Sequence, residues 1–415
     1  MVNLINRETY LSKIRPYYDL DIIKVITGIR RSGKSFLLKS IINEIKSKGV
    51  NIDHIIYINF EDIDFAYIQN AIDLNKEIKS KILDNEKYFV FLDEIQYVQE
   101  FEKALASIKA TCNVSLFVTG SNSTLLSGKL ASLLTGRTIE FEVFPFSYFE
   151  AVEYLHVNNA SSNALTIENY LKCGGFPFTY QLNSSQEVIN YVKHLYESIV
   201  AKDIAHPYSR IDRSLFNTVA LYILANAGKE LSLANIVNYY NSHNTDNKLT
   251  RPMVKTFLDK MVQAYLIYPI SQYNLSGKQS LNSHPKYYAT DLALRTIGTN
   301  TIDFEDTFFL ENLICNELKS RGYDVRTGKT YRSEIDFIVI LNGKKCFIQV
   351  CYYLLNEQTI KREFDAFNPI KDHSPKYVLS LDKVDLSHNG IAHLNIEDFL
   401  LHKVDITLTQ YQLKT

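Results

Sequence analysis

Asp21–Ile42 reads D-I-I-K-V-I-T-G-I-R-R-S-G-K-S-F-L-L-K-S-I-I, and its interpretation decides the fold. The β-branched run Ile22, Ile23, Val25 and Ile26 has the pattern of a short buried strand. Gly28 follows, then four residues, then Gly33-Lys34-Ser35, which completes G-x-x-x-x-G-K-S. Phe36, Leu37, Leu38, Ile41, Ile42 and Ile45 then recur at helical spacing. Strand, glycine loop and helix stand in the order a phosphate-binding loop requires. Glycines at both ends let backbone N–H groups curl around an anion, and the helix start directs its dipole at the same charge. The expected nucleotide contacts are Gly28, Ile29, Arg30, Arg31, Ser32, Gly33, Lys34, Ser35 and Phe36, with Lys34 on the β- and γ-phosphates and the Ser35 hydroxyl on Mg2+.

Such a loop needs an acidic partner for its metal. Lys87–Gln96, K-Y-F-V-F-L-D-E-I-Q, ends a strand-like apolar run in Asp93-Glu94. Ligands of open α/β sheets bind at the carboxyl ends of the strands. Asp93 is the expected metal ligand, and Glu94 is expected to orient or polarise the attacking water. Capping of the next helix is the plainer use of an Asp-Glu pair at a strand end. His54–Phe60 reads as another strand between these two in the chain. Ser115–Asn122 reads as a fourth, with a Thr-Gly-Ser-Asn tip that either senses the γ-phosphate through Asn122 or Ser121 or simply turns the chain. Leu125, Leu126, Leu130, Leu133 and Leu134 have helical spacing, and Arg137 opens a further strand over Thr138–Phe144. Arg137 is either a solvated strand-edge residue or a stabiliser of γ-phosphate charge, in its own site or a neighbouring subunit's.

The series G-I-R-R-S-G-K-S, I-N-F-E-D, F-L-D-E-I-Q, T-G-S-N-S, L-L-T-G-R and F-P-F-S-Y-F-E resembles the AAA-type ATPase domain of many bacterial and archaeal proteins, related to the STAND-like ATPases. The resemblance covers about residues 1–185. It implies an α/β P-loop NTPase fold of the AAA+ type with a parallel five-stranded core and ATP as nucleotide, and hydrolysis is expected from Asp93, Glu94 and the polar tip.

Downstream, 151–210 is mostly helical and broken at Cys173-Gly174-Gly175-Phe176-Pro177. Helices are expected from Leu215 to about Ala227, over Ser232–Asn241 and over Thr250–Leu266, followed by extended stretches Ile267–Tyr273 and Pro285–Ala289. Three helices and a hairpin match a winged helix-turn-helix. If it meets DNA, Arg251, Lys255 and Lys260 are its contacts. Phe257, Leu258, Met261 and Val262 fit the alternative, a module that packs against other domains.

In Glu334–Leu355, Asn342-Gly343 between apolar runs signals a two-residue hairpin that pairs Leu341 with Lys344. That register sets Asp336 opposite Gln349 and Glu334 opposite Cys351. It expects these four on one sheet face and Ile335, Phe337, Val339, Ile348 and Val350 on the other. The pattern resembles the restriction-endonuclease-like (PD-(D/E)XK) fold, with Glu311 and Asp336 matching its acids. Gln349 stands where its second acid belongs and Cys351 where its lysine belongs. Gln is a poor Mg2+ ligand and Cys supplies no cation, so a degenerate, non-cleaving domain is expected.

Length and composition agree with this division. At ~150 residues per domain, 415 residues suggest two or three, here 1–185, 186–300 and 301–415. Hydrophobic residues form 46% and charged residues 22%, which excludes a disordered or fibrous chain. Forty-five basic against 46 acidic residues give a net charge of −1, so bulk charge announces no nucleic-acid binder. Only 151–300 leans basic, with 13 against 10. Five cysteines, with no C-x-x-C pair, suggest neither a disulfide framework nor a zinc site. With no apolar run long enough to span a bilayer and no signal-peptide core, a cytoplasmic setting is expected. The expected partners are ATP and ADP, DNA through the winged helix, an unidentified protein, and further copies of the chain, with no membrane.

Overall fold

The computed structural model describes residues 4–123, 136–158, 165–205, 211–244, 248–275, 285–298, 307–329 and 333–408. The expected helix bearing Leu125–Leu134 lies outside the described residues. The chain divides into two compact units, Leu4–Pro145 with Gln263–Tyr265, and Phe146–Val262 with Leu266–Thr415.

In the first unit the strands are β1 (Ile23–Thr27), β2 (Ile55–Asn59), β3 (Tyr88–Asp93), β4 (Val114–Thr119) and β5 (Thr138–Glu142). They form one parallel sheet in the order β2-β3-β4-β1-β5. Helices α1 (Glu8–Ile14), α2 (Lys34–Ser47), α3 (Ala71–Lys81) and α4 (Phe101–Thr111) cover it on both faces. The pleat explains how one apolar run serves two cores. Tyr88, Val90 and Leu92 pack with Leu74 and Ile78 of α3 and Leu105 and Ile108 of α4. Phe89 and Phe91 point the other way, against Tyr10, Leu11 and Ile14 of α1 and Leu37, Leu38 and Ile41 of α2. Each fully buried side chain of this size contributes about 1.5–3 kcal/mol, so the sheet is anchored from both sides.

The second unit begins with α5 (Tyr148–Val157), whose Ser147 and Glu150 form a reciprocal capping box. Next come α6 (Ile167–Cys173) and α7 (Ser185–Ile199), then α8 (Arg213–Ala225), α9 (Leu233–His243) and α10 (Arg251–Gln263). Strands β6 (Ile267–Ile270), β7 (Gln272–Asn274) and β8 (Lys286–Ala289) follow, and β6 pairs antiparallel with β8. After α11 (Leu292–Thr296) and α12 (Thr307–Ser320) come β9 (Asp324–Lys329), β10 (Glu334–Leu341) and β11 (Lys344–Val350). Helix α13 (Glu357–Asp365), β12 (Lys376–Ser380), β13 (Ala392–Asn395) and α14 (Ile396–Leu400) complete it. One mixed sheet runs β13-β12-β11-β10-β9-β7.

Two features depart from the expected segmentation. The unit boundary falls at Pro145/Phe146, ahead of residue 185, because the Gly174-Gly175 turn is tied into the second unit. Phe146 N–H donates to Gly175 O at 2.6 Å, and Gly175 N–H donates to Asp291 Oδ2 at 2.7 Å. A Cβ on either glycine would stand closer than 3.0 Å to Asp291 or Phe146. In addition, β7 pairs in parallel with β9, which joins the segment before residue 300 to the sheet after it.

The β10–β11 hairpin has the expected register, with Leu341 opposite Lys344 and Phe337 opposite Ile348. Asn342 and Gly343 both take positive φ, 51° and 75°, as a type I′ turn requires. One face assignment is corrected. Ile335 packs with Ile338, Phe347 and Cys351, not on the side of Phe337. The pairing of β10 with β9 shifts between Ile335 and Ile338, and such a bulge turns the residue before it to the opposite face. No described helix is long and apolar enough to cross a membrane.

Candidate functional site

The carboxyl ends of β1, β3 and β4 meet at the glycine loop. Gly28 leaves β1 with φ +133°, Arg31 has φ +68° and Gly33 has φ +100°, so the chain coils tightly before α2. Gly33 occupies the N-cap of α2 without any side-chain cap, which leaves the first N–H groups of a 14-residue helix to an outside acceptor. Ser32 is buried, and its hydroxyl has no hydrogen-bond partner among the described residues. A buried orphan hydroxyl inside an uncapped anion loop fits a ligand that brings oxygen atoms.

Lys34 is buried beneath this loop, donating from Nζ to Gly28 O (3.0 Å) and Ile29 O (3.1 Å). The same ammonium lies 3.8 Å from Glu94 Oε1. Asp93 ends β3 with both oxygens engaged. Thr119 donates to Oδ1 (2.5 Å) and the Tyr57 hydroxyl to Oδ2 (3.0 Å). Burial and the neighbouring Asp93 push the Tyr57 phenol well above its ordinary value, so it remains a donor. Glu94 sits in the left-handed region, φ 56° and ψ 49°, and its N–H donates to Thr119 Oγ1 at 2.8 Å. A non-glycine residue in that region is strained by about 1–2 kcal/mol, which the surrounding bonds must offset. Gln96 Nε2 donates to Glu94 Oε2 (2.5 Å) and to Ser121 Oγ (3.3 Å), linking the acid to the β4 tip. Ser35 Oγ and Asp93 are hard oxygen donors next in sequence to Lys34 and Glu94, which lie 3.8 Å apart, and such donors suit Mg2+.

The expected residues are unequally placed. Gly28 to Ser35, Asp93 and Glu94 converge. Arg30 is buried and paired with Glu61 at 2.9 Å, and Arg31 is exposed. Phe36 is 52% exposed, with Lys39 Nζ 5.6 Å from its ring centroid, so its side chain faces solvent. Asn122 is half-buried just past Ser121. Arg137 lies at the other end of the sheet, where its carbonyl accepts from Ile23 N–H at the start of β1. Five strand residues at about 3.3 Å each separate it from the loop, which removes a role in its own site. Thr119, Tyr57 and Gln96 were not singled out by sequence reading. The only available signal was a hydroxyl in the already noted Thr-Gly-Ser-Asn tip.

In the second unit, Asp336 N–H donates to Gln349 Oε1 and Val350 N–H to Asp336 Oδ2, both at 2.8 Å. Gln349 Nε2 reaches Glu363 of α13 at 3.3 Å. Burial pushes the Asp336 carboxyl up to about 7, against the Val350 N–H and the charge of Lys286. Lys286, on β8, pairs with Glu334 at 3.5 Å, and Arg362 pairs with Glu363 at 2.6 Å, so the cluster has two cations. Cys351 is buried in the apolar cluster of α13, and Glu311 is buried near the Tyr288 hydroxyl at 3.5 Å. No group of three or more His, Cys, Asp or Glu side chains among the described residues is arranged to hold a metal.

A parallel sheet ordered β2-β3-β4-β1-β5, with a phosphate loop after β1 and an acid pair after β3, defines a P-loop NTPase domain of the AAA type. Residues 21–152 match the AAA domain family, and 165–301 match a domain of unknown function, DUF8612. An uncharacterized protein of Haemophilus influenzae is 32% identical over 407 residues, covering 96% of this chain and 99% of that one. The chain belongs to the same family as that relative. A Methanocaldococcus jannaschii uncharacterized protein is 29% identical, over 91% of this chain and 85% of its own. Among solved structures, the Aeropyrum pernix ORC2 protein is similar at 11% identity and TM-score 0.39, covering 74% of this chain and 92% of that one. DnaA from Aquifex aeolicus is similar at 14% identity and TM-score 0.33, covering 61% and 86%.

Proposed function

We propose that the chain is a Mg2+-dependent ATPase whose nucleotide cycle controls its C-terminal region. The supporting observation is that one hydroxyl, Thr119 Oγ1, binds both the Asp93 carboxylate and the Glu94 N–H, beside the loop that carries Lys34. In this reading the N–H groups at the start of α2 and the Lys34 ammonium bind the β- and γ-phosphates. Ser35 and Asp93 hold the metal. Bound there, Mg2+ would supply positive charge that offsets the negative charge of the phosphate oxygens. Glu94 accepts a hydrogen bond from the attacking water once its carboxylate exchanges Gln96 for that water. Asn122, or Ser121, senses the γ-phosphate from the β4 tip. Arg137, far from its own loop, acts on nucleotide only across a contact with another copy.

Lys34→Ala should abolish ATP binding, and Glu94→Gln should retain binding while phosphate release stops. Wild-type phosphate release from Glu94→Gln would contradict the role of Glu94. The five free thiols agree with a reduced, cytoplasmic setting.

A second reading treats the chain as a nucleotide-responsive scaffold or DNA-binding protein with negligible turnover and no nuclease activity. It is favoured by Gln349 and Cys351 standing where the resembled nuclease fold carries an acid and a lysine, and by the exposure of Arg251 and Lys255 on α10. Functional parts over 1–185, 186–300 and 301–415 serve either reading. Single-turnover measurement of phosphate release separates the two.

A further inference from the structure

Arg7 lies outside every motif of the nucleotide site, yet it is only 5% exposed. Its carbonyl accepts the Tyr10 and Leu11 N–H groups at the start of α1, which holds its backbone. Its guanidinium lies 4.5 Å from the centre of the Tyr10 ring. Nη1 donates to Ser32 O inside the phosphate loop at 2.9 Å. Nη2 donates to Phe144 O at 2.9 Å and to Pro145 O at 3.3 Å, just past β5. The Tyr10 hydroxyl accepts from Phe144 N–H at 3.1 Å, so the same segment is held from two side chains. One planar group therefore spans two chain segments, a geometry that a fork of fixed donors can satisfy and a single ammonium cannot.

The bond to Ser32 O has a consequence for the loop. The carbonyl of Ser32 and the N–H of Gly33 belong to one trans peptide and point in opposite directions. Holding the carbonyl toward Arg7 turns the Gly33 N–H away from Arg7. Without Arg7 this peptide, flanked by Gly33 at φ +100°, is free to rotate.

We propose that Arg7 is a positioning residue for the phosphate loop, orienting the Gly33 N–H for a nucleotide phosphate and tying that orientation to the segment after β5. This rests on residues 28–35 binding nucleotide. Coupling of this kind is reciprocal: if the Arg7 clamp favours nucleotide, nucleotide tightens the clamp.

The test uses full-length protein and ATP with Mg2+, with Kd from calorimetry. Arg7→Met should raise Kd about tenfold, the scale of one oriented charge-assisted contact. Arg7→Lys should fall between it and wild type. Where turnover is measurable, KM should rise with Kd while kcat changes less than about twofold. A merely structural loss would lower the active fraction and leave the Kd of the folded protein unchanged. In wild type, ATP should slow amide exchange at Phe144 with the same midpoint as in the loop, a readout that holds even if a variant fails to fold. Unchanged Kd in both variants, or protection confined to 28–35, overturns the inference. Lys34→Ala reports separately on the site: if it binds ATP like wild type, or wild type binds none, the nucleotide reading fails and this inference with it.

Discussion

Replacing Gly28 with alanine separates two demands that the loop makes on its first glycine. Gly28 has φ +133°, where a side chain costs about 1–3 kcal/mol in strain. A Cβ there would also stand closer than 3.0 Å to Val143 O, with Val143 C and N at 3.1 and 3.3 Å. Val143 cannot easily yield. It is fully buried, and its N–H donates to Thr27 O at 2.8 Å. Displacing it adds roughly 1 kcal/mol for the strained hydrogen bond and at least about 1 for repacking, giving about 3–5 kcal/mol in all. Gly49→Ala is the control, since Gly49 has φ +90° but its added Cβ would meet nothing within 4 Å. It should cost about 1–2 kcal/mol, from backbone strain alone. A chain of two units need not unfold in one step, so amide exchange resolved at β1 and β5 is the appropriate assay. A difference of about 2 kcal/mol predicts roughly 30-fold faster exchange in Gly28→Ala than in Gly49→Ala at the slowest amides. Equal exchange in the two variants would refute the argument that β5 closes against the loop through this glycine.

Burial of Lys24 in β1 lowers its ammonium to about 7, although Ser115 Oγ (2.7 Å) and Leu20 O (3.0 Å) accept from it. The unfolded chain then holds a proton that the folded one releases, so stability of the first unit should rise as pH climbs from 7 toward 10. Lys24→Met should flatten that slope in calorimetry. Asp336 has the opposite sign. Its folded carboxyl keeps a proton up to about 7, so its contribution should fall as pH rises from about 4 through 7, and Asp336→Asn should remove that part of the profile. If Arg251, Lys255 and Lys260 touch DNA phosphates, affinity for random duplex should drop about 10- to 40-fold between 50 and 200 mM salt. Undetectable binding at low salt sinks that reading. Plasmid DNA should stay intact with Mg2+ or Mn2+, and cutting that Asp336→Asn abolishes would show the sheet to be an active nuclease.

The phosphate loop was legible because its parts are contiguous: the glycines, Lys34 and Ser35 occupy eight consecutive positions between a strand and a helix. The β10–β11 register was legible for a similar reason, as Asn342-Gly343 fixes a two-residue turn that propagates along both strands. The bulge that turns Ile335 arises from pairing with β9, and nothing within β10 itself signals it. Sequence left Arg137 open between a solvated strand-edge residue and a partner of nucleotide, because the end of the sheet on which β5 begins is not written in β5 itself. A parallel strand must return to the opposite end of the sheet before it starts, which puts Arg137 beside Ile23.

By itself the sequence determined the chemistry on offer: a phosphate loop, an acid pair after a buried strand, and a hairpin that sets Asp336 opposite Gln349. These are local facts, set by residue type and by the periods of strand and helix. Only the tertiary structure decided which distant groups hold that chemistry in place. Thr119 and Tyr57 take the two oxygens of Asp93, Arg7 grips Ser32 and Phe144 together, and Asp291 draws the Gly174-Gly175 turn into the second unit. Each of these joins segments brought together by packing, where the partner is a hydroxyl, a carbonyl or an amide that any stretch of chain could supply. Such groups carry no signature in the sequence until the fold has chosen their neighbours.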